Sequence, residues 1–208
     1  MEIFGYELLW GILLFLNSFF SKLKSLIRYE KEKFVLVKNK FTRNREMPFE
    51  DFVCYILTNK GKSTVLELDD YFHEKYGVDK LPISKQALSK QRQYLDPLIF
   101  KEANKQSIEE IYSSGKYDLK DFKGFKVMGI DGAQVDIPNT PITKKEFEVE
   151  PLGMKDPDSP KARISVLSDL KNDFVIDSIL SPFKIGEAKL AFEHIENVSE
   201  IIDLNLRQ

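Results

Sequence analysis

The chain has 208 residues with 31 Lys or Arg, 33 Asp or Glu and a formal net charge of −2, a balance that argues against a protein coating nucleic acid by overall charge. Its 42% hydrophobic and 31% charged residues are ordinary for a globular chain, and that length holds one sizeable domain or two small ones. One cysteine, Cys54, and two histidines, His73 and His194, exclude an intrachain disulfide and argue against a structural zinc site.

The first element is the apolar stretch from Ile3 to Phe20. Glu2 and Glu7 precede or enter it, Asn17 and Ser18 interrupt it, and no small-residue cleavage site follows. A membrane helix needs about 20 apolar residues, and a signal peptide carries its positive charge first. A buried or interfacial helix is therefore expected ahead of a membrane anchor, with no stable membrane association. From Ser21 to Arg45 nine Lys or Arg stand against Glu30 and Glu32, a local excess of seven. Such a run is either a solvated helix face or a surface that meets phosphates.

Phe49, Phe52, Val53 and Ile56 recur at three-and-four spacing after Pro48 and before Gly61, which predicts an amphipathic helix. A second helix is expected from Ser63 through Tyr71 and Phe72, stopped near Gly77. In Ile83-Ser84-Lys85-Gln86-Ala87-Leu88-Ser89-Lys90-Gln91-Arg92, Ser84 is the expected N-cap, and Ala87, Leu88 and Leu95 the inner stripe. Ser, Lys, Gln and Arg are left outward. These are the side chains of a recognition helix and equally those of any solvated one.

Beyond Gly115 the texture changes. Phe125 to Pro138, Ala162 to Asp169 and Phe174 to Leu180 read as strands, the last two joined by a Lys171-Asn172-Asp173 turn of the kind that links antiparallel neighbours. Pro151 to Pro160 reads as a mobile loop. Gly186 to Leu206 returns to helical spacing, with Leu190, Ala191, His194, Ile195 and Val198 on one side. Asp131, followed by Gly132 inside an apolar strand, is costly to bury unless paired or bound to a cation, and read alone it is also a turn signal.

Val127-Met128-Gly129-Ile130-Asp131-Gly132 followed by Ile137-Pro138-Asn139-Thr140 resembles the first catalytic strand of bacterial insertion-sequence DDE transposases of the IS-four group. Ala162 to Ser165 and Asn172 to Asp177 resemble the next two strands of that family, and Gly186-Glu187-Ala188-Lys189-Leu190-Ala191, with His194 beyond, its Gly-Glu helix. Phe41 to Phe49 resembles its Phe-x-Arg-x-Arg entry and Ile83 to Arg92 the segment ahead of its catalytic domain, so the likeness runs in order from Phe41 to Ile195.

The resemblance implies an α+β chain: an N-terminal helical module followed by an incomplete RNase H-like α/β domain of three strands plus a helix. The corresponding segments are an apolar and basic stretch over 1–40, a DNA-binding module over 41–122 and a truncated catalytic domain over 123–208. It also implies binding to the terminal inverted repeats of a DNA element, with Arg43, Arg45, Ser84, Lys85, Gln86, Ser89, Lys90 and Arg92 facing DNA. Asp131 then matches the first of three carboxylates that hold magnesium, and is the catalytic and metal-binding residue carried over. The family's Asp-Arg-Gly-Tyr and Tyr-x-x-Arg-x-x-x-Glu motifs are absent. The expectation is thus a truncated transposase of the cytoplasm and nucleoid, inactive alone. It is completed by a full-length subunit or a missing C-terminal piece, or else serves as a non-catalytic DNA-binding module or transposition inhibitor.

Overall fold

The computed structural model describes residues 3–42, 46–148 and 159–203, and it is mixed α and β. The chain order is α1 (Ile3–Tyr29), a single 3-10 turn (Lys31–Phe34), α2 (Phe49–Leu57), α3 (Thr64–Tyr76), α4 (Lys85–Arg92), α5 (Leu98–Ser113), β1 (Met128–Asp136), α6 (Pro141–Phe147), β2 (Lys161–Asp169), β3 (Phe174–Pro182) and α7 (Glu187–Asp203). Two compact units are formed, one from residues 23–100 and one from 1–22 with 101–208.

In the unit of residues 23–100, local chemistry sets the helices where the periodicity puts them. Pro48 lies at the N-cap of α2, where its missing N–H costs nothing, and Phe49, Phe52 and Val53 are buried. Gly77 ends α3 with φ +85°, a backbone state that glycine adopts without a Cβ clash. Glu67 is buried, and its Oε1 accepts from the backbone N–H groups of Lys60 and Lys62 at 2.8 and 2.7 Å. One carboxylate therefore shapes the α2–α3 loop. Asp51 is buried too and pairs with Lys75, while Tyr71 donates its hydroxyl to the Asp51 carbonyl at 2.9 Å. Burial, the largest influence on it, pushes the Tyr71 phenol up to about 12.

Ser84 caps α4 as expected, its hydroxyl accepting from the Ala87 N–H at 3.2 Å. Leu88 and Leu95 are buried, but Ala87 is exposed, so the inner stripe is narrower than the spacing suggests. The segment after α1 is tied to the end of α4 by Leu36 N–H donating to Tyr94 and Asp96 N–H donating to Phe34, both at 2.9 Å.

In the other unit β1, β2 and β3 form one antiparallel sheet in that order, with Asp131 opposite Val166 and Ile164 opposite Leu180. The β2–β3 connection is the expected tight turn. Asp169 at its start is fully buried, and its carboxylate accepts from the N–H groups of Lys171 and Asn172 and from the Tyr112 hydroxyl. Burial first, and the Asp169 partner next, push the Tyr112 phenol far above its ordinary value. Ile108, Ile111 and Tyr112 of α5 form one core with Leu167, Phe174, Ile176 and Val198. A boundary near residue 122 would cut α5 away from the sheet it covers, so the compact units divide elsewhere than the segments read from the sequence.

Residues of α1 also join this core: Phe15 stacks on Phe174 at 5.5 Å between ring centroids. Lys22 pairs with Glu110 at 2.8 Å, and that contact, the largest influence on it, holds the Glu110 carboxyl below its ordinary range. Among the described residues no helix is long and apolar enough to cross a membrane. The loop expected at 151–160 lies, for residues 151–158, outside the described residues. Ile195, expected on the inner side of α7, is 57% exposed, while Leu190, His194 and Val198 are buried.

Candidate nucleic-acid interface and the sheet carboxylates

Helix α4 carries Lys85, Lys90 and Arg92 and no carboxylate, and is anchored through Leu88. Ser84, Lys85, Gln86, Ser89, Lys90 and Arg92 are all exposed. A capped eight-residue helix held by one buried leucine thus presents three cations and three neutral hydrogen-bonding side chains to solvent. Arg43 and Arg45, expected to share that role, lie outside the described residues.

Two concavities flank α4. One, of about 480 Å³, is lined by residues of the 39–42 segment and by Met47, Ala87, Lys90, Gln91 and Tyr94. The other, of about 560 Å³, is shallower and includes Thr64, Lys85, Gln86, Ser89 and Arg92. Lys90 borders both.

Asp131 stands on β1, at an edge of the sheet, and is exposed. Its Oδ1 accepts from the Gly132 N–H at 2.8 Å. A Cβ placed on Gly132 would lie 3.7 Å from Glu187 Oε1, so Gly132 faces α7. Side chains alternate along a strand, and Asp131 therefore points to the opposite face from Glu187. No group of three His, Cys, Asp or Glu side chains able to hold a metal ion occurs among the described residues. A hard divalent cation takes six or more oxygen ligands, several of them carboxylates in a catalytic pair. Asp131 alone does not meet that requirement.

Sequence reasoning missed a buried polar row between the sheet and α7. Ser165 on β2, His194 on α7 and Asp177 on β3 form a continuous hydrogen-bonded row, Ser165 Oγ to His194 Nε2 at 2.9 Å and His194 Nδ1 to Asp177 Oδ2 at 2.9 Å. The order of groups is that of an activated serine. Burial decides against that chemistry: Ser165 is 2% exposed, His194 0% and Asp177 6%, which leaves a substrate no approach to the hydroxyl. Asn197 donates to Asp177 Oδ2 at 2.9 Å, and Lys101 sits 3.3 Å from Oδ1. Burial works to raise the Asp177 carboxyl, but hydrogen bonds from Asn197 and His194 and the Lys101 charge outweigh it and hold the group below its ordinary range. The row is a polar clamp fastening α7 to the sheet. Its sequence signal is slight: one histidine on the apolar stripe of α7 and one serine inside an apolar strand.

No family model, curated protein or solved structure matches the chain.

Proposed function

We propose that the chain binds duplex DNA through the outer face of α4, as the end-recognition part of an insertion-sequence transposase of the IS-four group. The observation that carries this reading is the exposure of Ser84, Lys85, Gln86, Ser89, Lys90 and Arg92 together on a capped helix that lacks acidic residues. Lysine and arginine on such a face neutralise phosphates and release counterions. Glutamine and serine supply the directed hydrogen bonds that base edges accept.

In this reading the partner is the terminal inverted repeat of a DNA element, met in the bacterial cytoplasm at the nucleoid. The sheet of β1 to β3 with α7 stands for the opening elements of an RNase H-like domain, with Asp131 as its first carboxylate. Magnesium chemistry would need carboxylates from another polypeptide segment or from a full-length transposase subunit. The solitary position of Asp131 among the described acids favours a second reading for the chain by itself, a non-catalytic DNA-binding module that occupies element ends and inhibits transposition.

The test is fluorescence anisotropy on labelled duplexes at stated salt, comparing the chain with a Lys85→Gln, Lys90→Gln, Arg92→Gln triple variant. The reading expects the salt dependence of log affinity to fall by about 1 for each phosphate contact removed. Unchanged affinity and unchanged salt slope in the triple variant would remove α4 from the interface.

A further inference from the structure

Helix α4 is a crest between two hollows. At 3.6 residues a turn, Ala87 and Gln91 stand on the flank away from Lys85, Ser89 and Arg92. Buried Leu88 lies beneath, and Gln86, Lys90 and Gln93 run along the top. Ala87 and Gln91 line one hollow together with the 39–42 segment; Lys85, Ser89 and Arg92 line the other together with Thr64. The crest residues also edge the second hollow, and Lys90 borders both. Among the described residues these linings hold four cations, Lys40, Lys85, Lys90 and Arg92, and no carboxylate. In a chain with 33 Asp or Glu against 31 Lys or Arg, that segregation marks a surface for a polyanion reaching both hollows at once.

The far wall of the first hollow holds a lysine in place. Leu36 N–H donates to Tyr94 and Asp96 N–H to Phe34, both at 2.9 Å, which ties the strand ahead of the wall to the end of α4. Asn39 and Phe41 then reverse the chain through left-handed backbone, φ +66° and +55°. The Lys31 ammonium donates to the Phe41 carbonyl at 2.6 Å, and the Phe41 ring rests against Phe49 and Phe52. This sets the Lys40 ammonium 4.6 Å from the centroid of the Tyr94 ring, with no carboxylate paired to it among the described residues. A cation stationed in this way loses less freedom when it meets a phosphate.

The major groove of B-form DNA is about 12 Å wide, and a helix with its side chains is about 10–12 Å across. Two sugar-phosphate backbones wall that groove, so a helix seated in it needs a receptive surface on each flank. We infer that α4 enters the major groove crest first and that the two backbones bed in its two hollows. One strand lies against Lys40 and the 39–42 segment, the other against Lys85 and Arg92. Gln86 and Gln93 then face base edges, while Phe41 and Ala87 offer apolar surface to the deoxyribose between phosphates. The inference rests on the DNA-binding reading and adds to it the groove entered and Lys40, a phosphate contact outside α4.

The test uses the whole chain and fluorescence anisotropy on two duplexes of one mixed sequence. One is ordinary DNA; in the other, one strand carries uncharged methylphosphonate linkages. On ordinary DNA, Lys40→Gln should lower the slope of log affinity against log salt by about 1, and Lys40→Arg should restore it. On the half-neutral duplex the wild type turns its Lys85 and Arg92 flank to the charged strand, so Lys40→Gln should change nothing. Glucosyl groups projecting from cytosines into the major groove should block the wild type, and netropsin filling the minor groove should not. A Lys40→Gln slope equal to wild type, with the α4 triple variant still losing slope, would overturn the two-hollow seat and leave the α4 reading standing. An equal Lys40→Gln loss on both duplexes would put Lys40 on the strand already held by Arg92 and overturn it as well. Binding indifferent to the glucosyl groups would refute entry by the major groove. A triple variant that binds like the wild type would bring down the reading and the inference together.

Discussion

Replacing His194 with leucine empties the centre of the polar clamp while keeping an apolar side chain of helical propensity on α7. His194 is fully buried and bonds at both ring nitrogens, to Ser165 and to Asp177. The substitution leaves the Ser165 hydroxyl without that partner inside the protein, a loss of about 1–3 kcal/mol, and takes from the Asp177 carboxylate a charge-assisted bond of about 1.5–3 kcal/mol. Asn197 and Lys101 remain on Asp177, so the charge is not abandoned, and the expected total is about 3–5 kcal/mol. Urea unfolding followed by circular dichroism at neutral pH measures it. A companion Ser165→Ala variant removes the hydroxyl together with its bond and should cost less than His194→Leu. The Asp177 carboxyl is held below its ordinary range, so its contribution is present above the ordinary carboxylate value and is lost as pH falls through the lowered one. Acid should therefore destabilise the wild-type chain through this group more than Asp177→Asn, which starts weaker and has no charge there to lose. A His194→Leu cost below about 1 kcal/mol would show that the row is not what fastens α7 to the sheet.

Ser84→Ala should lower stability by about 1 kcal/mol through loss of the α4 cap, read as a shift of the urea midpoint at unchanged slope. Glu67→Ala should cost about 2–4 kcal/mol, because two backbone N–H groups of the α2–α3 loop lose their shared acceptor, and hydrogen exchange at Lys60 and Lys62 should quicken. Asp131→Asn should change stability by no more than about 0.5 kcal/mol, since the carboxylate is exposed and its one bond is local. The chain alone should show no magnesium-dependent cleavage of inverted-repeat DNA. Cleavage abolished by Asp131→Ala would show that Asp131 acts with further metal-holding groups and would refute this expectation.

Much of the secondary structure is legible in the sequence because its causes are local. Ser84 three residues before Ala87, whose N–H it accepts, Pro48 ahead of an apolar three-and-four pattern, Gly77 after Tyr76 and the Lys171 to Asp173 turn each act within one or two turns of chain. The exposed face of α4 follows from the same pattern once Leu88 is buried. Exposure itself is graded by neighbours, which is why Ala87 and Ile195 turn outward against their expected places. In α5 the buried positions Ile99, Ala103, Ser107 and Ile111 recur every four residues, but alanine and serine in the middle of that stripe leave its apolar signal weak.

The sequence by itself determined the three strands and the helices that open at Phe49, Thr64, Lys85 and Glu187, the polar side chains α4 offers to solvent, and that Asp131 sits in a strand before a glycine. Only the tertiary structure decided that α5 belongs with the sheet, that Ser165, Asp177 and His194 meet in one buried row, and that the segment around Phe41 walls a cavity with Gln91 and Tyr94. Each of these joins residues far apart in the chain. Their meeting depends on how whole apolar faces pack and on which polar groups must find partners once water is excluded, and no spacing along a single segment carries that information.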